Sequence, residues 1–109
     1  MTLSIREYGA ARVVDLTGEV DLGTSPELRR ALFDILGKTS RLVINLQALR
    51  YIDSSGIATL IEVFKAAQRL GKEFVLFGLS PAVQAVFRLT HVNRIFRIVD
   101  TEEQAVTPA

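Results

Sequence analysis

The residues best suited to chemistry stand together in Asp53-Ser54-Ser55-Gly56, directly before an apolar helical pattern. A helix N-terminus offers free backbone N–H groups and the positive end of the helix dipole, which stabilise an anion or a phosphate group. The same residues also suit plain capping, in which Asp53 or a serine accepts hydrogen bonds from the first-turn amides and Gly56 permits a close approach. The local pattern leaves both interpretations open, and capping is the more frequent of the two.

Two acidic side chains, Glu19 and Asp21, stand at the end of a predicted strand. They could hold a cation, although a solvated turn before the first helix is the more frequent explanation of such a pair. His91 is the only histidine and follows the third predicted helix, a place typical of a capping or surface residue. Neither feature by itself indicates a reaction.

Most enzyme classes are excluded by residues that the sequence lacks. It has no cysteine and one histidine, which removes thiol catalysis, thiolate metal sites and two-histidine metal sites. The nucleotide-binding patterns GxGxxG and GxxxxGK followed by Ser or Thr are absent, and neither Ser54 nor Ser55 follows a glycine by two positions, as a nucleophile elbow requires. Asp53 does not fit a receiver-domain phosphoacceptor, because the acidic pair and the late-strand lysine of that site are missing. We therefore predict that the protein is not an enzyme and has no cofactor or metal.

The composition indicates one globular domain over residues 1–109. Apolar residues make up 49% and charged residues 23%, which excludes intrinsic disorder. Thirteen basic against twelve acidic side chains argue against a protein held to nucleic acid by its net charge. No signal-peptide pattern opens the sequence, and no apolar stretch approaches the ~20 residues that span a bilayer. The expectation is a soluble, cytoplasmic protein without a membrane segment.

Short apolar runs alternate with helical patterns, which predicts an α/β fold with a mostly parallel central sheet, an antiparallel edge strand and about four helices. The predicted strands are 5–8, 12–16, 42–46, 74–77 and 95–99, with a loop over 47–53. The predicted helices begin near Thr24, Ser55, Ser80 and Asp100, and Gly37 and Gly71 end the first two. Capping boxes are predicted for Thr24 with Glu27 and for Asp100 with Glu103. The predicted core contains Val14, Leu16, Val43, Ile44, Leu60, Phe64, Val75 and Leu76.

Three blocks in this order carry a family resemblance: Leu16-Thr-Gly-Glu-Val-Asp21, Leu42-Val-Ile-Asn-Leu46 and Tyr51-Ile-Asp-Ser-Ser-Gly-Ile57. Together they resemble a STAS domain, and more narrowly the stand-alone bacterial anti-sigma factor antagonists of partner-switching pathways. The resemblance continues through the segments 71–75, 79–83 and 89–96 and covers nearly the whole sequence.

The resemblance implies that Ser54 is phosphorylated by an anti-sigma factor that is also a serine kinase. Asp53 would orient or cap, Ser55 would lie in the first helical turn, and Glu19 and Asp21 would face the kinase. Further candidates for the partner-binding surface, one turn on, are Ile57, Ala58 and Glu62. The unphosphorylated protein, a monomer when free, would bind the kinase and release a sigma factor. Phosphorylation would end binding, and a metal-dependent serine phosphatase would reset the switch, without direct contact to nucleic acid or membrane.

Two other functions remain open. A STAS subunit of a lipid transporter or a stress-signalling scaffold would act without phosphorylation, although the intact Asp53-Ser54-Ser55 sequence argues mildly against it. A nucleotide-binding or hydrolytic enzyme is disfavoured by the missing phosphate loops and the missing base.

Overall fold

A computed structural model describes residues 1–108, in which an N-terminal hairpin is followed by three helical crossovers and a short C-terminal helix. The five strands are β1 Thr2–Tyr8, β2 Ala11–Val20, β3 Arg41–Ile52, β4 Glu73–Phe77 and β5 Arg97–Val99. The helices are α1 Ser25–Leu36, α2 Ser54–Arg69, α3 Pro81–Leu89 and α4 Glu102–Val106, with a single 3-10 turn at Val92–Arg94. None of these helices combines the length and the apolar character that a membrane span needs.

The strands lie in the order β1-β2-β3-β4-β5. β1 pairs antiparallel with β2 across a tight turn at Gly9-Ala10, and every later pair is parallel. Consecutive parallel strands require crossovers, and crossovers of one hand place their helices on one face of the sheet. The predicted α/β fold with an antiparallel edge strand is confirmed.

The core is divided between the two faces of the sheet. The larger part joins α1, α2 and α3 to the sheet and contains Val14, Leu16, Ile44, Leu60 and Leu76 from the predicted set. The smaller part lies on the opposite face, where Ala105 of α4 covers Val43 and Val75. Phe64 differs from the prediction because it is only partly buried, at the edge of the larger part.

The strand β3 is longer than predicted, because residues 47–52 continue it instead of forming a loop. Among residues 1–108 this extension pairs only with β2, and the register between the two strands shifts twice. The shifts lie between the paired residues Asp15–Asn45 and Thr17–Ala48, and between Gly18–Leu49 and Glu19–Tyr51. Each shift inserts an extra residue into β3, which is the behaviour of a β-bulge. The bulges break the alternation of buried and exposed side chains by which a strand is recognised in a sequence.

Both predicted capping boxes are wrong in detail. Thr24 precedes α1, but its side chain does not cap the helix, because its Oγ1 accepts from the backbone N–H of Asp21 at 2.9 Å. At α4 the box is formed one residue later than predicted, by Thr101 and Gln104. The last strand is also shorter than predicted: Ile95 and Phe96 precede it, and Phe96 packs in the core.

Candidate functional site

The sheet places the segment Glu19–Asp21 beside Asp53, which precedes α2. β2 and β3 are parallel, so their carboxyl ends lie at the same edge of the sheet. The pairing continues to Val20 with Ile52, and the backbone N–H of Asp53 donates to the Val20 carbonyl oxygen at 3.2 Å. The Glu19–Asp21 segment therefore lies beside the residues that open α2. The bulged extension of β3 creates this contact.

Asp53 caps α2. Its Oδ1 accepts from the backbone N–H groups of Ser55 at 2.9 Å and Gly56 at 3.2 Å, and from the Ser55 hydroxyl at 2.5 Å. These donors, the Ser55 hydroxyl first, hold the pKa of the Asp53 carboxyl below its usual range. Asp53 is therefore a carboxylate at neutral pH, and the capping interpretation of this residue is correct.

The two serines that follow Asp53 differ in exposure and in the hydrogen bonds of their hydroxyl groups. Ser54, the first residue of α2, is exposed, and its hydroxyl has no hydrogen-bond partner within residues 1–108. The Ser55 hydroxyl is engaged on both sides, by Asp53 and by the hydroxyl of buried Ser25 at 2.8 Å. The capping contacts therefore occupy Asp53 and Ser55 and leave the exposed Ser54 hydroxyl without a hydrogen bond to residues 1–108.

The loop after β2 is ordered by hydrogen bonds between the Asp21 side chain and the loop's own backbone. Asp21 Oδ1 accepts from the N–H groups of Gly23 at 2.9 Å and Thr24 at 3.1 Å. Its carboxylate is thus occupied as in an Asx-type turn, which agrees with the solvated-turn interpretation. Within the part of the chain that the structure describes, no three acidic or histidine side chains are grouped as metal ligands.

Gly56 lets α2 approach the sheet closely. A Cβ atom at this position would lie 2.6 Å from Ile52 Cγ1 and 2.8 Å from Val20 Cγ1. Both distances are shorter than real contacts of a Cβ atom. The glycine therefore allows the α2 N-terminus to lie this close to the ends of β2 and β3.

A sequence profile of the STAS domain matches residues 2–105, nearly the full length of the chain. The chain belongs to the STAS domain family.

Three proteins of similar sequence or structure have names that describe regulators. The anti-sigma-B factor antagonist of Listeria monocytogenes is 29% identical over 104 residues, which cover 94% of this chain and 91% of the relative. A solved anti-sigma factor antagonist from Mycobacterium paratuberculosis has a TM-score of 0.87 at 24% identity, covering 96% of this chain and 90% of that one. The Bacillus cell fate determinant SpoIIAA, solved in a phosphorylated form, has a TM-score of 0.73 at 20% identity and covers 96% of each chain.

The surface of this STAS domain around Ser54 includes some of the predicted partner-binding residues. Glu19, Asp21 and Ala58 are exposed, and Glu62 is exposed while it pairs with Arg29 of α1 at 2.6 Å. Ile57 is different: it is 5% exposed and packs in the core, so its side chain offers no contact surface.

Two exposed apolar side chains near the site were missed by sequence reasoning. Leu22 is 77% exposed in the loop after β2, and Tyr51 is 47% exposed near the end of β3. An apolar residue between Asp21 and Gly23 in a turn was the available signal for Leu22. His91 is exposed after α3, with a left-handed backbone at φ 60°, and is therefore a surface residue as predicted.

Proposed function

We propose that this protein is an anti-sigma factor antagonist whose binding to a serine-kinase anti-sigma factor is switched by phosphorylation of Ser54. The observation that carries the proposal is the contrast between the neighbouring serines. Ser54 is exposed and free of hydrogen bonds to residues 1–108, whereas Ser55 is held by Asp53 and Ser25. Phosphorylation of Ser54 would therefore break no side-chain hydrogen bond to residues 1–108.

The names of the relatives support the regulatory role. The Listeria monocytogenes relative is an anti-sigma-B factor antagonist and covers nearly all of this chain. SpoIIAA, which has the same fold, has been solved in a phosphorylated form. A phosphate group is therefore compatible with this architecture.

The charges around Ser54 explain how a phosphate group would end binding. Phosphorylation adds about −1.5 to −2 charges beside Asp53, Glu19 and Asp21. The helix N-terminus stabilises this charge in the free protein. In a complex the phosphate group would have to be desolvated or would face acidic groups, and a penalty of ~3 kcal/mol weakens binding more than a hundredfold.

The proposed contact surface combines the exposed residues of the site. It consists of Glu19, Asp21, Leu22, Tyr51, Ala58 and Glu62 around Ser54. Exposed apolar side chains within a charged rim are typical of protein interfaces. A metal-dependent serine phosphatase would restore the unphosphorylated form.

The test is affinity capture from native lysate with three variants of residue 54. Ser54→Ala should fold, resist phosphorylation and capture a soluble kinase as well as the unmodified protein does. Ser54→Asp should capture less, because it adds one negative charge to the surface. Ser54→Asn has nearly the same shape without the charge and is the matched control. The loss with Ser54→Asp should shrink at high salt, because salt screens repulsion between exposed charges.

The alternatives give different results in the same experiment. Capture of a membrane transporter or scaffold, equally by all three variants, would favour a STAS subunit that acts without phosphorylation. Mass spectrometry that places the phosphate of the native protein on Ser55 would contradict the assignment of Ser54.

A further inference from the structure

The hydroxyl groups of Ser25 and Ser55 connect the loop that follows β2 to the N-terminus of α2. Ser55 Oγ lies 2.5 Å from Asp53 Oδ1 and 2.8 Å from Ser25 Oγ, and Ser25 Oγ lies 2.7 Å from the Asp21 carbonyl oxygen. Ser25 opens α1 and is only 6% exposed. The chain of contacts is therefore shielded from water at the Ser25 end, where a lost hydrogen bond is not replaced cheaply.

Only two hydroxyl protons, those of Ser25 and Ser55, are available for these three contacts. Asp53 is a carboxylate that accepts all its hydrogen bonds, so the proton between Asp53 and Ser55 is the Ser55 proton. Ser55 can then only accept from Ser25. The Asp21 carbonyl oxygen already accepts from the backbone N–H groups of Thr24 and Ser25. Ser25 Oγ donates to that oxygen at 2.7 Å and lies 2.8 Å from Ser55 Oγ, so its one proton is shared between these two acceptors, in a chain of donors that ends on a carboxylate.

We propose that Ser25 is a positioning residue that holds the Ser55 hydroxyl on Asp53 and thereby directs phosphorylation to Ser54. This inference rests on the proposed function. In the transfer, the acceptor oxygen bonds to the γ-phosphorus of the nucleoside triphosphate held by the kinase, the bond from phosphorus to the bridging oxygen breaks, and the nucleoside diphosphate leaves. The hydroxyl proton passes to a base of the kinase. Ser54 can react as it stands, whereas Ser55 must first leave Asp53 and Ser25.

The first test measures the Ser55 side chain without any kinase. Three-bond NMR couplings should show one χ1 rotamer for Ser55 in the unmodified protein. Ser25→Ala should produce rotamer averaging at Ser55. Thr24→Ala is the matched control. It removes a hydroxyl of the same loop, and that hydroxyl contacts the Asp21 backbone but not Ser55. Unchanged couplings in folded Ser25→Ala would overturn the positioning role, and so would equal averaging in both variants.

The second test measures phosphoryl transfer to Ser55. In the Ser54→Ala background, with ATP and the kinase captured as described above, the added Ser25→Ala change should raise Ser55 phosphorylation about fivefold, the factor that one net hydrogen bond contributes. Thr24→Ala in the same background should leave the rate unchanged. Equal rates with and without Ser25 would contradict the inference while the proposed function stands. Absence of phosphate from the protein with both serines intact would contradict the proposed function, and the NMR couplings would still decide the role of Ser25.

Discussion

Ser54 and Ser55 are chemically identical neighbours with different surroundings. Successive residues of an α-helix point about 100° apart, so the first two residues of α2 cannot share one environment. Ser55 faces α1 and is bound there by Ser25, while Ser54 faces solvent. The position within the first turn thus separates a hydroxyl that the fold holds from a hydroxyl that is exposed to solvent.

Replacing Ser54 by aspartate should leave stability almost unchanged. An acid in the first turn of a helix contributes about 0.3–1 kcal/mol, but here it stands beside the carboxylates of Asp53, Glu19 and Asp21. We expect a free energy of unfolding within about 0.5 kcal/mol of the unmodified protein, as for exposed substitutions generally. Urea denaturation of Ser54→Asp and Ser54→Asn measures it. A variant that loses partner binding only because it unfolds would mean that Ser54 is a structural residue.

At the scale of the elements, the site depends on how closely α2 approaches the sheet. Gly56→Ala should destabilise the protein by about 1–2 kcal/mol, because overpacking against Val20 and Ile52 exceeds the gain in helix propensity. The measurement is again the urea midpoint.

Gly37→Ala is the matched control for this glycine. Gly37 has an ordinary helical backbone at φ −66°, and a Cβ atom there would meet its nearest neighbour, the Asp34 carbonyl oxygen, at 3.5 Å. The substitution should be neutral or stabilise by about 0.4–1 kcal/mol. Equal effects of the two alanines would show that the close approach of α2 is not what Gly56 provides.

At the scale of the whole molecule, a polar network joins α4 to the N-terminal hairpin. Arg6 of β1 donates to Asp15 of β2 at 2.7 Å and to Glu102 of α4, and Asn45 of β3 donates to Asp15 at 2.8 Å. Buried Arg41 adds a bond to the Ala105 carbonyl oxygen at 3.0 Å. The Arg6 guanidinium lowers the pKa of the Asp15 and Glu102 carboxyls. Contacts between residues far apart in the chain thus hold α4 against the second face of the sheet.

This network should make stability depend on pH below about pH 4–5. A carboxyl group with a lowered pKa in the folded state stabilises it above the pKa of the unfolded chain, about 4, and this stabilisation is lost as the pH falls through the folded-state pKa. Glu102→Gln should therefore lower the urea midpoint at pH 7 and lower it less at pH 2. Glu103→Gln, an exposed neighbour outside the network, should show no such pH-dependent difference. A Glu102→Gln defect that stays constant from pH 7 to pH 2 would rule out the ion pair as its cause.

The sequence alone determined the order of the elements and the start of α2. Both are local properties: hydrophobic periodicity separates strands from helices, and an aspartate followed by small residues is a preferred helix start. The motifs of the STAS family around Ser54 could also be recognised from the sequence, because each is a continuous stretch of residues.

Only the tertiary structure decided which residues surround Ser54. The bulged end of β3 is held by its pairing with β2, a backbone contact between distant segments that leaves no regular side-chain period. The same packing buries Ile57, exposes Leu22 and brings Ser25 to Ser55 across 30 residues of sequence. Contacts between distant segments are set by how the elements pack against one another, so local spacing does not contain them.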